Sequence, residues 1–267
     1  MSTHEDDLLQ DRGDWLRTGE EVRTAPVAIN EGTQKELQYS PLDGLAVFEG
    51  DIVLGTEEEM EEARSGGQLV PMGVGITGQQ FRWPGGIIPY QIHPALPDPE
   101  RVTAAIAHWE ARTRIRFVQR TAQNAHQYRD YVSFEAKVGC WSQLGRRGGK
   151  QVISLGSGCG LGQAIHEIGH TVGLWHEQSR EDRDRHVEIR WENIAPEARH
   201  NFEQHILDGD DLGAYDYASI MHYPALAFSR NHQPTIVPRQ PVQIGQRTGL
   251  SDGDVAAVQA LYPELYA

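Results

Sequence analysis

The segment that most constrains this 267-residue chain is His166-Glu167-Ile168-Gly169-His170-Thr171-Val172-Gly173-Leu174-Trp175-His176-Glu177. Four residues of helix turn through about 400°, so His166 and His170 share one face and two imidazoles can reach one ion. A straight helix would carry His176 away from that ion. Gly173 can adopt a positive φ, end the helix and swing His176 back. Three neutral imidazole nitrogens suit one catalytic Zn²⁺ with an open position for water. Glu167, directly after the first ligand, can hang over that water as a general base. A lone H-E-x-x-H arises by chance, whereas the third histidine and the intervening glycine at fixed spacing are specific. His93, His108, His126 and His232 have no partner spacing and read as structural or exposed.

Around this segment the sequence predicts mixed α and β structure. Ile87-Ile88-Pro89-Tyr90-Gln91-Ile92 reads as a strand, with Pro89 placing it at an edge or a bulge. Asp98-Pro99 is expected to open a helix, Asp98 as cap and Pro99 in the first turn, with Val102, Ile106 and Trp109 on one face. Ile115 and Phe117 alternate with Arg114 and Arg116 as in a half-buried strand, and residues 131–135 and 151–155 read as further short strands. A second helix is expected over about Leu161 to Trp175. The chain then looks loop-rich until Ser251 and Asp254, a capping-box-like pair, open a closing helix with Val255, Val258 and Leu261 on its apolar face.

Charge divides the chain unevenly. Residues 1–73 hold 17 acidic and 5 basic side chains, so 12 of the 14 net negative charges lie there, and residues 74–267 are nearly neutral. Neither part offers the cationic surface that displaces counterions from phosphates, so no nucleic-acid partner is expected. No apolar run approaches the roughly 20 residues of a spanning helix, and no membrane partner is expected. The polar start, Met1 to Gly19, suggests partial disorder. The acidic peak from Glu57 to Glu62 reads as a solvated helix face that Thr56 could cap. Gly66-Gly67 and Pro71-Met72-Gly73-Val74-Gly75 read as a flexible boundary.

The extended histidine pattern resembles the metzincin metalloproteases. Glu177 after the third histidine and Arg180-Glu181-Asp182-Arg183-Asp184 narrow the resemblance to the astacin family. Ser219-Ile220-Met221-His222-Tyr223 is similar to that family's Met-turn, Trp83 to Tyr90 to its first mature strand, and Gly139-Cys140-Trp141-Ser142 to its substrate-binding edge. The resemblance covers about 74–267. It implies an α+β fold. A metzincin-type catalytic domain would carry a mixed, mostly parallel twisted sheet and two long helices in its N-terminal half. An irregular C-terminal half would end in a helix, and an acidic propeptide (1–73) would precede the domain. Met221 would floor the metal site. Tyr223 would be a fifth zinc ligand in the resting mature enzyme and would bind the oxyanion during turnover. Glu177 would anchor the newly formed N-terminus through a water.

Phe48-Glu49-Gly50-Asp51 resembles the F-x-G-D segment of the family's propeptides, which makes Asp51 the zinc ligand of a latent zymogen. Processing is expected between Arg64 and Gly78, close to Gly73–Val74, by a protease the sequence does not identify. Cys140 and Cys159 sit where the family places one disulfide. A second bridge common in the family is absent, with Arg114 at one of its positions. A disulfide implies a secreted or otherwise extracytoplasmic protein, although no signal peptide is visible. The implied function is a monomeric zinc endopeptidase for polypeptide substrates, with its own propeptide as intramolecular inhibitor and no room for accessory domains after the short C-terminus. A substrate would lie antiparallel to the edge strand at Trp141, Ser142 and Gln143, a case of β-augmentation. The alternative is a non-proteolytic zinc-containing peptide-binding module, which Glu167 disfavours because binding alone needs no base.

Overall fold

The computed structural model describes residues 15–30, 33–71, 79–204 and 211–267. In chain order the leader supplies β1 (Arg23–Asn30), β2 (Thr33–Leu42), β3 (Leu45–Phe48), β4 (Ile52–Thr56), α1 (Glu57–Arg64) and β5 (Val70–Pro71). The body supplies β6 (Ile87–Ile92), α2 (Glu100–Arg112), β7 (Arg116–Gln119), β8 (Tyr131–Glu135), β9 (Cys140–Ser142), β10 (Lys150–Leu155) and α3 (Leu161–Val172). It closes with β11 (Val187–Ile189), β12 (Ile236–Pro238) and α4 (Asp252–Leu261). The expected partial disorder at Met1 to Gly19 and the Gly73–Val74 processing site fall largely outside the described residues.

Among the described residues ten strands form one mixed sheet in the order β5-β1-β2-β3-β4-β9-β10-β8-β6-β7. Within the body, β10, β8, β6 and β7 run parallel and β9 runs antiparallel to β10. The leader extends this sheet, because β4 lies parallel to β9 with Ile52 opposite Ser142. Its strands alternate as half-buried strands must: Ala25, Val27, Leu37 and Tyr39 point into a buried cluster with Phe48, Ile52, Leu54 and Met60. Asp43 and Gly44, at φ 52° and 77°, turn β2 into β3. Thr56 caps α1 in a capping box with Glu59.

Three local expectations are corrected. β6 is not an edge strand, since β7 and β8 flank it; the ladder to β8 begins at Tyr90, so the missing N–H of Pro89 precedes it. Asp98 does not cap α2. It sits at φ 50°, and Pro99 takes the cap position without a side-chain bond. The motif helix ends at Val172 rather than Trp175, because Gly173 adopts φ 118°.

The main core lies between the sheet and the helix pair α2 and α3, where Trp109 donates its Nε1–H to Ile165 O at 3.0 Å. A helix leaves its last carbonyls without intrahelical partners. Here Trp83 Nε1 donates to Thr171 O (2.9 Å) and Tyr262 Oη to Val172 O (2.8 Å), both from buried side chains. The end of α3 is thereby fixed from two distant points of the chain. Cys140 and Cys159 form a disulfide, with Cα atoms 5.8 Å apart, linking β9 to the turn before α3.

Candidate metal centre

The register of α3 puts His166 and His170 on one buried face, and the turn at Gly173 returns His176 to them. The three ring centroids lie 4.7–5.4 Å apart. Each Nδ1–H is anchored: His166 to Ile220 O (2.8 Å), His170 to Leu174 O (2.9 Å) and His176 to Glu49 Oε2 (2.8 Å). These bonds fix the tautomers and leave the three Nε2 lone pairs facing inward. Asp51 enters from the leader, with Oδ2 3.2 Å from His166 Nε2, and Oδ1 3.4 Å from His170 Nε2 and 3.1 Å from His176 Nε2. One ligand atom from each of the four residues lies within 4.8 Å of every other.

The donor set fits zinc. Asp51 Oδ1 and the Nε2 atoms of His170 and His176 are buried without hydrogen-bond partners, so lone pairs point at one another. Such an arrangement is unfavourable unless a cation lies between them. The electrostatics agree. Burial opposes charge on Asp51, but His176, His166 and His170 outweigh it and hold the carboxyl well below its usual range. Burial likewise opposes charge on His176, yet Asp51 and Glu49 raise its pKa to about 9. The cluster therefore attracts positive charge, and three imidazoles with one carboxylate make an N₃O donor set that would suit Zn²⁺.

Glu167 is buried, and neither of its oxygens has a hydrogen-bond partner. Burial and the Asp51 charge push its pKa well up. Met221 lies under α3, where a Cβ on Gly169 would come within 2.5 Å of its Sδ, so the close approach requires glycine. The turn carrying Met221 is tied to α4: Asp254 accepts from Ser219 Oγ (2.6 Å) and Ile220 N (3.0 Å). Tyr223 packs its ring 4.7 Å from that of His176, and its hydroxyl donates to Glu49 O at 2.5 Å. Glu177 accepts from Asp216 N (2.7 Å), lies 3.6 Å from Arg180 Nη1, and lines a cavity of about 70 Å³ with His176, Arg180, Met221 and Asp216. Burial raises its pKa to about 8.

The edge strand lies under the leader. Ser142 N donates to Asp51 O (2.9 Å), and its hydroxyl lies 2.9 Å from that of Thr171. Trp141 is buried against Val47 and Val53 of the leader, and Gln143 is half-buried. Gly50, at φ 77°, brings the leader backbone to the cleft. Sequence reasoning missed Glu49, at φ 45°, which receives His176, Ser179 (Oγ, 2.6 Å) and Tyr223. It also missed Arg247, a buried guanidinium whose Nε and Nη2 make no hydrogen bond and which lies 4.9 Å over the Trp15 ring. Only a contact across the fold reveals either residue.

A family model described as Astacin, a peptidase family, matches residues 75–263. The zinc metalloproteinase nas-6 of Caenorhabditis elegans is 42% identical over 195 residues, covering 70% of this chain and 55% of that protein. Blastula protease 10 of Paracentrotus lividus is 36% identical over 235 residues, 80% of this chain and 38% of that protein. Among solved structures, high choriolytic enzyme 1, a hatching enzyme zinc-protease from Oryzias latipes, superposes with a TM-score of 0.62 at 40% identity. That match covers 68% of this chain and 92% of the hatching enzyme chain. This chain spans from about two fifths to just over half the length of these two curated relatives.

Proposed function

The chain belongs to the astacin family, and on that footing we propose that it is a zinc endopeptidase whose leader, residues 1–73, keeps it latent through Asp51. The observation that carries the reading is the buried Glu167 carboxylate without a hydrogen-bond partner, beside three histidines whose Nε2 atoms converge. A site built only to hold a metal needs no such group, and an unpartnered buried carboxylate is costly unless chemistry uses it.

His166, His170 and His176 would hold Zn²⁺, which when bound polarises a peptide carbonyl and acidifies water. Glu167 then has the position of a group that takes a proton from that water and passes it to the leaving amine. The Tyr223 hydroxyl, released from Glu49 O when the leader departs, is a donor for the developing oxyanion. Trp141, Ser142 and Gln143 would present the edge on which substrate pairs antiparallel. The leader occupies that edge in the parallel direction. It thus takes the main-chain hydrogen bonds of a substrate while presenting a carboxylate, not a scissile amide, to the histidines. The Glu177 carboxylate beside that cavity, shared with Arg180 at 3.6 Å, supports an anchoring role for Glu177 after processing near Val74. The Cys140–Cys159 disulfide supports an extracytoplasmic location. Among the described residues no helix is long and apolar enough to cross a membrane.

Glu167→Gln in the leader-stripped chain tests the reading. It should lower peptide hydrolysis by about 10²–10⁴-fold while one zinc per chain remains bound by metal analysis. Undiminished hydrolysis would remove Glu167 from the chemistry.

A further inference from the structure

The leader also covers a cationic side chain that neither the chemistry nor the aspartate contact uses. Arg147 follows β9 and reaches under β4, where its Nη2 donates to Leu54 O at 2.9 Å. Its Nη1 is buried and has no hydrogen-bond partner. The backbone that carries it is held: Gln151 Oε1 accepts from Arg147 N (3.1 Å) and Gln151 Nε2 donates to Gly145 O (2.8 Å). Between the guanidinium and α1 lies a cavity of about 320 Å³, lined by Leu54, Glu59 and Glu62 of the leader and Gln143, Arg147 and Lys150 of the body. Lys150 is already paired with Glu135 at 2.5 Å, so Arg147 is the lining cation left without a carboxylate partner. Burial works against its charge, and Glu59 works for it. The most acidic stretch of the leader is thus laid over this arginine.

We propose that Arg147 is a specificity-determining residue that favours polypeptides carrying an acidic side chain about three residues to the N-terminal side of the scissile bond. The inference rests on the peptidase reading above. A strand antiparallel to β9 sets its N-terminal residues beside the C-terminal end of β9, the end that Arg147 follows. Leu54, which meets Arg147, lies three positions from Asp51. A substrate of the same strand rise therefore brings its residue three before the bond to the guanidinium. Nη2, released from Leu54 O, and the unpartnered Nη1 match the two oxygens of a carboxylate.

The experiment uses the zinc-loaded full chain after limited proteolytic removal of its leader. Two peptides differing only in Glu or Gln at that position are compared by kcat/KM in the wild type, Arg147→Gln, Arg147→Lys and Arg147→Glu. The wild type should prefer Glu by about tenfold, the lysine variant should keep part of that ratio, the glutamine variant should lose it and the glutamate variant should reverse it. Equal cleavage of both peptides by the wild type, or an unchanged ratio in Arg147→Gln, overturns the subsite alone. Failure of the wild type to cut either peptide overturns the peptidase reading and the subsite with it.

Discussion

Replacing Asp51 by alanine in the full-length chain separates a carboxylate switch from simple coverage of the cleft. The side chain is fully buried, and its oxygens lie 3.1, 3.2 and 3.4 Å from three imidazoles. Removing one partner from a buried charged cluster costs about 3–5 kcal/mol. At 1.36 kcal/mol per decade, the ratio of leader-closed to leader-open molecules should fall by a factor of about 10²–10⁴. The remaining clamps, Glu49 on His176, Tyr223 on Glu49 O and Ser142 N on Asp51 O, are retained, so docking weakens without vanishing. Hydrolysis of a short quenched-fluorescent peptide by the full chain should rise by that factor, up to the ceiling set by the leader-stripped chain. Glu49→Gln leaves the metal-facing carboxylate in place and should raise activity by no more than about tenfold. The double variant Asp51→Ala with Glu167→Gln must be silent, which excludes a contaminating protease. A carboxylate switch is refuted if Asp51→Ala stays as silent as the wild type while the stripped chain is active. Latency would then reside in the strand pairing of β4 with β9.

Gly169→Ala forces a Cβ to within 2.5 Å of Met221 Sδ beneath the metal site; overpacking of this kind costs about 1–3 kcal/mol, and Tm should drop by several degrees in calorimetry, with an unchanged Tm counting against the packing argument. His108 accepts from Leu250 N at 2.9 Å through Nε2, and burial, aided by Arg112, lowers its pKa below the unfolded value of about 6.5. A depressed folded pKa means that this stability is present above about pH 6.5 and is lost as pH falls through the folded value. Urea midpoints measured at descending pH should therefore fall in the wild type, and that fall should be missing in His108→Gln. Chelation of the stripped chain should abolish hydrolysis and lower Tm, with both restored by added zinc, because a ligand bound only to the native state stabilises it by about 2.7 kcal/mol at a hundredfold excess over Kd. A Tm indifferent to chelation would contradict the site.

The residues legible in the sequence are those whose relation is local. His166, Glu167 and His170 are related by one helical turn, and Gly173 ends that helix within the same segment, so spacing alone reports their chemistry. The leader strands carry the same kind of signal, through the alternation of Ala25 with Val27 and of Leu37 with Tyr39 and through the Asp43-Gly44 turn, but the acidic composition masks it. Asp98 misleads because capping residues are recognised by type, whereas its φ of 50° lies in the left-handed region, not in the extended conformation that a cap adopts. Glu49 has no local signal, since its partners His176 and Tyr223 lie 127 and 174 positions away along the chain. Asp254 shows how a correct local reading can conceal a distant role. It caps α4, bonding Ser251 N at 2.8 Å, yet the same carboxylate holds Ser219 and Ile220, and Ile220 O receives the Nδ1–H of His166. A capping box requires one oxygen, and a carboxylate brings two with several lone pairs. The closing helix, which on sequence grounds only ends the chain, therefore orients the first metal ligand, and a defect at Asp254 should be read at the zinc site before it is read in the helix.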